Sequence, residues 1–94
     1  MYKVTFTKGG EKDLKVIRKS PYREIAESIL EEIALDPFSK RNGLEKIDDG
    51  EIFYARRISG KHRLVYQIDE DEGTVLVYQM WNHYDRMGQK QRKR

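Results

Sequence analysis

The stretch Phe53-Tyr54-Ala55-Arg56-Arg57-Ile58-Ser59-Gly60-Lys61-His62-Arg63-Leu64-Val65-Tyr66 reads as two strands joined by a tight turn. Residues 52–58 and 62–68 are rich in Ile, Tyr, Phe, Leu and Val, and Ser59-Gly60-Lys61 supplies the loop chemistry between them. A three-residue loop of this kind sets Tyr54 opposite Tyr66, Ala55 opposite Val65 and Arg57 opposite Arg63. The first two pairs are favourable cross-strand partners. The third places two guanidinium groups side by side, which costs stability unless they fan apart in solvent or share an anion. Arginine grips phosphate through two parallel N–H bonds, so a phosphate lying across both groups would remove the repulsion.

Working outward, the chain alternates apolar and polar residues at Tyr2, Val4 and Phe6, a short strand with one apolar face. Gly9-Gly10 is expected to break it, and Glu11 to Arg18 to form a short helix with Leu14 and either Ile17 or Val16 inward. Ser20-Pro21 then has the form of a helix start, Ser as N-cap and Pro in the first turn. Tyr22, Ile25, Ala26, Ile29, Leu30, Ile33 and Ala34 follow at helical spacing up to the stop at Asp36-Pro37. Such a stripe is the face a helix packs on a sheet; a partner groove is the other use of it. Residues 38–50 read as a loop that contains Leu44-Glu45-Lys46-Ile47. Downstream of the hairpin, Asp69-Glu70-Asp71-Glu72-Gly73 is an acidic turn without the spacing of a calcium loop, and Thr74 to Trp81 is a last strand running into Asn82-His83-Tyr84. The expected fold is α+β in the order β-α-α-β-β-β, a small mostly antiparallel sheet with two helices packed on one face.

Ninety-four residues make one domain, placed at 1–84, with residues 85–94 a basic C-terminal tail expected to be frayed. The tail sets Arg86, Lys90, Arg92, Lys93 and Arg94 against Asp85, a net of +4, so the rest of the chain carries −1 of the overall +3. Basicity is therefore local, and nucleic-acid binding must rest on where particular arginines sit. The absence of cysteine excludes disulfides and thiol catalysis and fits a reducing, cytoplasmic setting. Two histidines without cysteines or clustered carboxylates make a metal site unexpected, and no cofactor motif is present. No apolar run is long enough to span a membrane, and no secretion signal opens the chain.

The polar groups that remain gather on one sheet face. Arg57 and Arg63 share it through the hairpin. If the last strand pairs with residues 62–68 in an even-sum register, Val65, Val75, Val77, Gln79, Trp81 and His83 lie on it too, and Glu45 can reach its edge from the loop. A carboxylate, an imidazole and two guanidiniums suit metal-independent RNA cleavage by the RNA's own 2′-hydroxyl: a base takes its proton, an acid protonates the leaving 5′-oxygen, and fixed cations hold the charge on phosphorus. Tyr84 is placed to stack on a base. The same residues are also consistent with structural roles, Trp81 and Tyr84 closing the core and Glu45 in a salt bridge.

Asp36-Pro37-Phe38, a Gly and a Glu in the loop after it, Arg56-Arg57-Ile58, His62-Arg63-Leu64-Val65-Tyr66 and the closing His83-Tyr84 together resemble the Txe/YoeB family of toxin–antitoxin toxins, a branch of the RelE/ParE-like superfamily. The resemblance spans nearly all of residues 1–84. It implies a RelE/YoeB-like fold and an endoribonuclease (an mRNA interferase) that cuts mRNA in the ribosomal A site. It also implies neutralisation by a YefM/Phd-like antitoxin, and it leaves room for a homodimer. Carried over, Glu45 matches the general base, His83 the general acid, Arg63 a transition-state-stabilising arginine and Tyr84 the C-terminal active-site tyrosine. Arg57, with Arg56 and Lys46, makes up the RNA- and phosphate-binding set. The family's Glu-Pro-Leu-Lys is here Glu45-Lys46-Ile47-Asp48, the loop needs a one-residue gap, and ten residues follow the tyrosine, a basic extension suited to ribosomal RNA. Two other readings stay open: a ParE-like, non-nucleolytic poison of a protein such as gyrase, and a catalytically decayed homologue that binds only RNA or antitoxin.

Overall fold

The fold is described from a computed structural model, which covers residues 1–41 and 43–81. Five strands and two helices follow one another as β1 (Lys3–Phe6), α1 (Lys8–Arg18), α2 (Arg23–Leu35), β2 (Glu45–Asp48), β3 (Ile52–Arg57), β4 (Arg63–Asp69) and β5 (Thr74–Gln79). They build one sheet in the order β1-β5-β4-β3-β2. Strands β2 to β5 pair antiparallel in succession, and β1 returns to lie parallel beside β5. The α+β architecture expected from the sequence is therefore present, with one strand more than the pattern suggested.

That strand is β2. Its four residues, Glu-Lys-Ile-Asp, lack an apolar alternation because it is an edge strand, and only Ile47 has a neighbour to pack on. Gly50, at φ +83°, makes the turn into β3, a backbone geometry that favours glycine.

The hairpin β3–β4 has the register its turn dictates, Tyr54 opposite Tyr66, Ala55 opposite Val65 and Arg57 opposite Arg63. The next hairpin does not follow the even-sum register. Asp69 lies opposite Thr74 across a four-residue turn, so Ile68 pairs with Val75 and Tyr66 with Val77. A one-residue slip of this kind moves side chains to the other face. Val75 and Val77 thus join the helix-side core rather than the face of Val65. A bulge between Val65 and Tyr66 resets the register, and Val65 pairs with Gln79.

Both helices cover one face of the sheet. Their core is Ile17 of α1, Ala26, Ile29 and Ile33 of α2, and Leu64, Tyr66, Val75, Val77 and Met80 beneath them. Helix α1 begins three residues earlier than Gly9-Gly10 suggested. Thr7 caps it by accepting from the Gly10 N–H at 3.0 Å, and both glycines lie in its first turn. A Cβ on Gly10 would sit 2.4 Å from the Val77 carbonyl oxygen, so glycine is what lets the helix start this close to β5. Leu14 and Ile17 point inward, whereas Val16 is exposed. Helix α2 starts two residues after Pro21. Ser20 accepts from the Tyr22 N–H at 3.1 Å and donates to the Ile17 carbonyl at 2.7 Å, tying the two helices together rather than capping the second. The buried stripe is also narrower than the spacing implied, since Ile25 is 45% exposed. Among the described residues no helix is long and apolar enough to cross a membrane.

Candidate active site

The open face of the sheet carries a row of residues in register: Glu45 opposite Ala55, Ala55 opposite Val65, Val65 opposite Gln79. Two pairs further along β3 and β4 stand Arg57 and Arg63. Side chains alternate along a strand, so Glu45, Arg57 and Arg63 share this face. Glu45 and Arg57 are diagonal neighbours across β2 and β3, about 7–8 Å apart at the backbone. Beneath them Phe53, Ala55 and Val65 form a small buried apolar floor, with Ile47 and Tyr78 packed against it.

The two arginines of the pair differ. Arg57 is exposed. Arg63 is 9% exposed, and its Nη1 donates to the carbonyls of Ser59 at 2.7 Å, His62 at 3.2 Å and Gly60 at 3.4 Å. Its guanidinium is folded onto the turn it leaves, which separates it from its cross-strand neighbour and holds it in one place.

Arg56 and Lys46 belong elsewhere, and the expectation that they bind phosphate beside Arg57 needs correction. Both lie on the helix face, since Lys46 is opposite Tyr54 and Arg56 opposite Leu64. Lys46 is exposed there, on the far side of the sheet from Glu45. Arg56 is 0% exposed. Its Nε donates to the Tyr66 hydroxyl at 3.1 Å, its Nη2 to the carbonyls of Pro37 at 3.2 Å and Asp36 at 3.3 Å, and its Nη1 meets the Glu32 carboxylate at 3.4 Å. Glu32 also pairs with Arg41 at 2.9 Å. Tyr66 closes the network by donating to the Pro37 carbonyl at 2.7 Å, and burial pushes its phenol pKa up, partly offset by Arg56. A buried cation needs its partners. Here they are the end of α2 and the two residues after it, so Arg56 ties α2 to β3 from behind the sheet.

His83 and Tyr84, as well as the tail 85–94, lie outside the described residues. The strand end that leads to them is held on several sides. Asp13 of α1 accepts from the N–H groups of Met80 at 3.0 Å and Trp81 at 3.3 Å. His62 Nδ1 hydrogen-bonds the Trp81 carbonyl, and its ring stacks on the indole with centroids 4.1 Å apart. Tyr22 packs on both rings. Asp13 carries no distinguishing signal in the sequence, being one of two acids in a mostly basic helix. His62 stood inside a motif without an assigned role.

A groove of about 600 Å³ lies at the opposite end of the sheet, lined in part by Asp69, Glu70 and Asp71, whose charge repels phosphate. No cluster of three or more His, Asp or Glu able to hold a metal ion occurs among the described residues.

No protein-family profile and no curated protein matches the chain. Solved structures do. A YoeB/ParE toxin from Agrobacterium tumefaciens superposes with a TM-score of 0.78 at 21% identity, over 87% of this chain and 99% of that one. The YoeB dimer from Staphylococcus aureus gives 0.75 at 23%, over 88% and 98%. The intact Escherichia coli RelBE toxin–antitoxin complex gives 0.69 at 26%, over 87% and 96%. The chain has the YoeB/RelE toxin fold. Within a YoeB/RelE-like fold, the open face of the sheet with Glu45, Arg57 and Arg63 is the candidate site.

Proposed function

We propose that this chain is the toxin of a toxin–antitoxin system and a ribosome-dependent endoribonuclease that cleaves mRNA without a metal. The observation that carries the reading is the convergence of Glu45, Arg57 and Arg63 on one sheet face of a YoeB/RelE-like fold. Exposed Glu45 takes the 2′-OH proton. Arg57 grips the scissile phosphate, and Arg63, held by its three carbonyls, stabilises the charge that builds on phosphorus. His83 protonates the leaving 5′-oxygen, and Tyr84 stacks on a base. With a net charge near −1 outside the tail, the chain is a poor RNase on naked RNA, and the ribosome supplies position. This places its action in the cytoplasm.

The partners follow from the same reading: mRNA in the ribosomal A site, and a YefM/Phd-like antitoxin, in line with the toxin–antitoxin complex among its structural neighbours. A second copy is a further candidate partner, as the S. aureus relative is a dimer.

The test is cleavage of mRNA on programmed ribosomes by wild type, His83→Ala and Arg57→Ala. A cut in the A-site codon weakened by both substitutions is the expected result. Growth arrest without any cut would replace the nuclease with a poison of a protein target, and neither cut nor arrest would leave a decayed binder.

A further inference from the structure

The bulge in the β4–β5 ladder falls at Tyr78. Tyr66 lies opposite Val77 and Val65 opposite Gln79, so Tyr78 is the residue the register skips. Bulges of this kind re-aim a side chain. Here the side chain reaches across β4 to the floor of the open face, where its ring meets that of buried Phe53 edge-on, centroids 5.1 Å apart and planes at 78°. Its hydroxyl donates to the Gln67 side-chain oxygen at 2.7 Å, and the Gln67 amide in turn donates to the Glu51 carboxylate at 2.9 Å. The ring is thus fixed at its edge and at its tip. Tyr78 is nevertheless only half-buried, which leaves aromatic surface on the open face.

Charge sorts what that surface can take. Arg57 stands four residues along β3 from Phe53, roughly 13 Å at the rise of a strand. Beyond Tyr78 in the other direction Gln67 borders the groove of Asp69, Glu70 and Asp71. A phosphate is drawn to the first end and repelled from the second, and the floor between them, Phe53, Ala55 and Val65, is apolar. A flat, uncharged group held close to a phosphate fits this middle ground, and an unpaired nucleobase is such a group.

We propose that Tyr78, set by the bulge and pinned by Gln67, is a stacking platform for an unpaired base of the mRNA close to the scissile phosphate. The inference rests on the nuclease reading for the identity of the RNA, and on the geometry at Tyr78 for the platform. Aromatic side chains on a sheet hold single-stranded RNA in this way, and every base has a π-face, so the stack tolerates sequence. Tyr78 binds the substrate and moves no proton; Gln67 is its positioning residue.

The experiment titrates the full chain onto ribosomes programmed with mRNA whose A-site codon carries 2′-deoxyribose. The attacking hydroxyl is then missing, and occupancy is read without cleavage. Wild type, Tyr78→Phe and Tyr78→Leu are compared on the intact mRNA and on a set in which one nucleotide at a time, in and beside the codon, lacks its base. Tyr78→Leu is expected to weaken half-saturation on the intact mRNA about 5–150-fold, and Tyr78→Phe, which keeps the ring, to stay close to wild type. On one abasic mRNA wild type falls to the level of Tyr78→Leu, which loses nothing further. Exchanging that base for any of the other three changes wild-type binding little. Losses that add on every abasic mRNA, or equal losses in Tyr78→Phe and Tyr78→Leu, overturn the proposal.

A second readout needs no variant. With 5-iodouridine placed at each position in turn, ultraviolet light is expected to join one position to Tyr78, identified by peptide mass spectrometry; crosslinks to other residues alone overturn the platform. If wild type binds and crosslinks through Tyr78 but cuts no ordinary mRNA, the nuclease reading fails and the platform stands. If wild type does not bind programmed ribosomes, both fail.

Discussion

Arg57 and Arg63 stand directly opposite each other across the β3–β4 hairpin, yet one faces solvent and the other is folded onto its own turn. Three backbone carbonyls surround the Nη1 of Arg63, partial negative charges that offset the neighbouring cation. The pair therefore persists without an anion across it, with Arg57 as the adaptable member and Arg63 as the fixed one.

This asymmetry separates their variants. Arg57→Ala is expected to leave stability within about 0.5 kcal/mol of wild type while lowering cleavage about 10²–10³-fold. Arg63→Ala strips three carbonyls of a donor and is expected to cost about 1–3 kcal/mol as well as activity. Urea titration beside ribosomal cleavage distinguishes the two.

For Arg56 the expected effect is on stability and not on phosphate binding. Glu32→Gln leaves the buried guanidinium without its carboxylate and is expected to destabilise by about 1–3 kcal/mol, measured by urea midpoint. The salt dependence of RNA binding should stay as in wild type, because Arg56 meets no phosphate. A reduced salt slope in Glu32→Gln would contradict the placement of Arg56 inside the fold.

The adjacent glycines of α1 should respond in opposite directions to alanine. At Gly9 the new Cβ finds the Tyr78 carbonyl oxygen at an ordinary 3.5 Å, so Gly9→Ala is expected to gain roughly 0.5–1 kcal/mol from helix propensity. At Gly10 it would meet backbone at 2.4 Å, and Gly10→Ala is expected to lose about 1–3 kcal/mol as α1 is pushed off β5. Thermal melts of the two single variants are the check.

Stability should fall in alkali. The Tyr66 phenol is raised above its ordinary 10.0 mainly by burial. The folded chain then holds this proton where the unfolded chain has lost it, so stability is intact below pH 10 and declines as pH rises through the raised pKa. Tyr78 adds in the same direction, raised by desolvation and by Glu51. Tyr66→Phe is expected to cost about 1–3 kcal/mol at neutral pH, because Pro37 and Arg56 lose a partner, and to flatten the alkaline decline in part. Urea midpoints from pH 7 to 11 test both.

The β3–β4 register was legible because a Ser-Gly-Lys turn between two strand-forming runs leaves few ways to pair. The same turn also contained the correction for Arg56. Once Arg57 faces Arg63, its neighbour must point the other way, under an amphipathic helix and beside Tyr66. Lys46 follows from Glu45 by the same alternation. The β4–β5 register was not legible, because a run of acids marks a turn without fixing its length, and a bulge then restores the other parity for Val65 and Gln79. Strand β2 escaped notice for a different reason: an exposed edge has no apolar face to betray it.

The first strand lies beside the last, Val4 against Val75 and Phe6 against Val77. Every contact of that ladder joins residues some seventy positions apart, so β1 has no sheet to join while the chain is being made. Val77 also receives the start of α1, which means that the first helix too lacks its seat until β5 exists. Cotranslational closure of the helix-side core is thereby deferred until β5 is made. Under the proposed function, that delay is the interval in which an antitoxin has to be at hand.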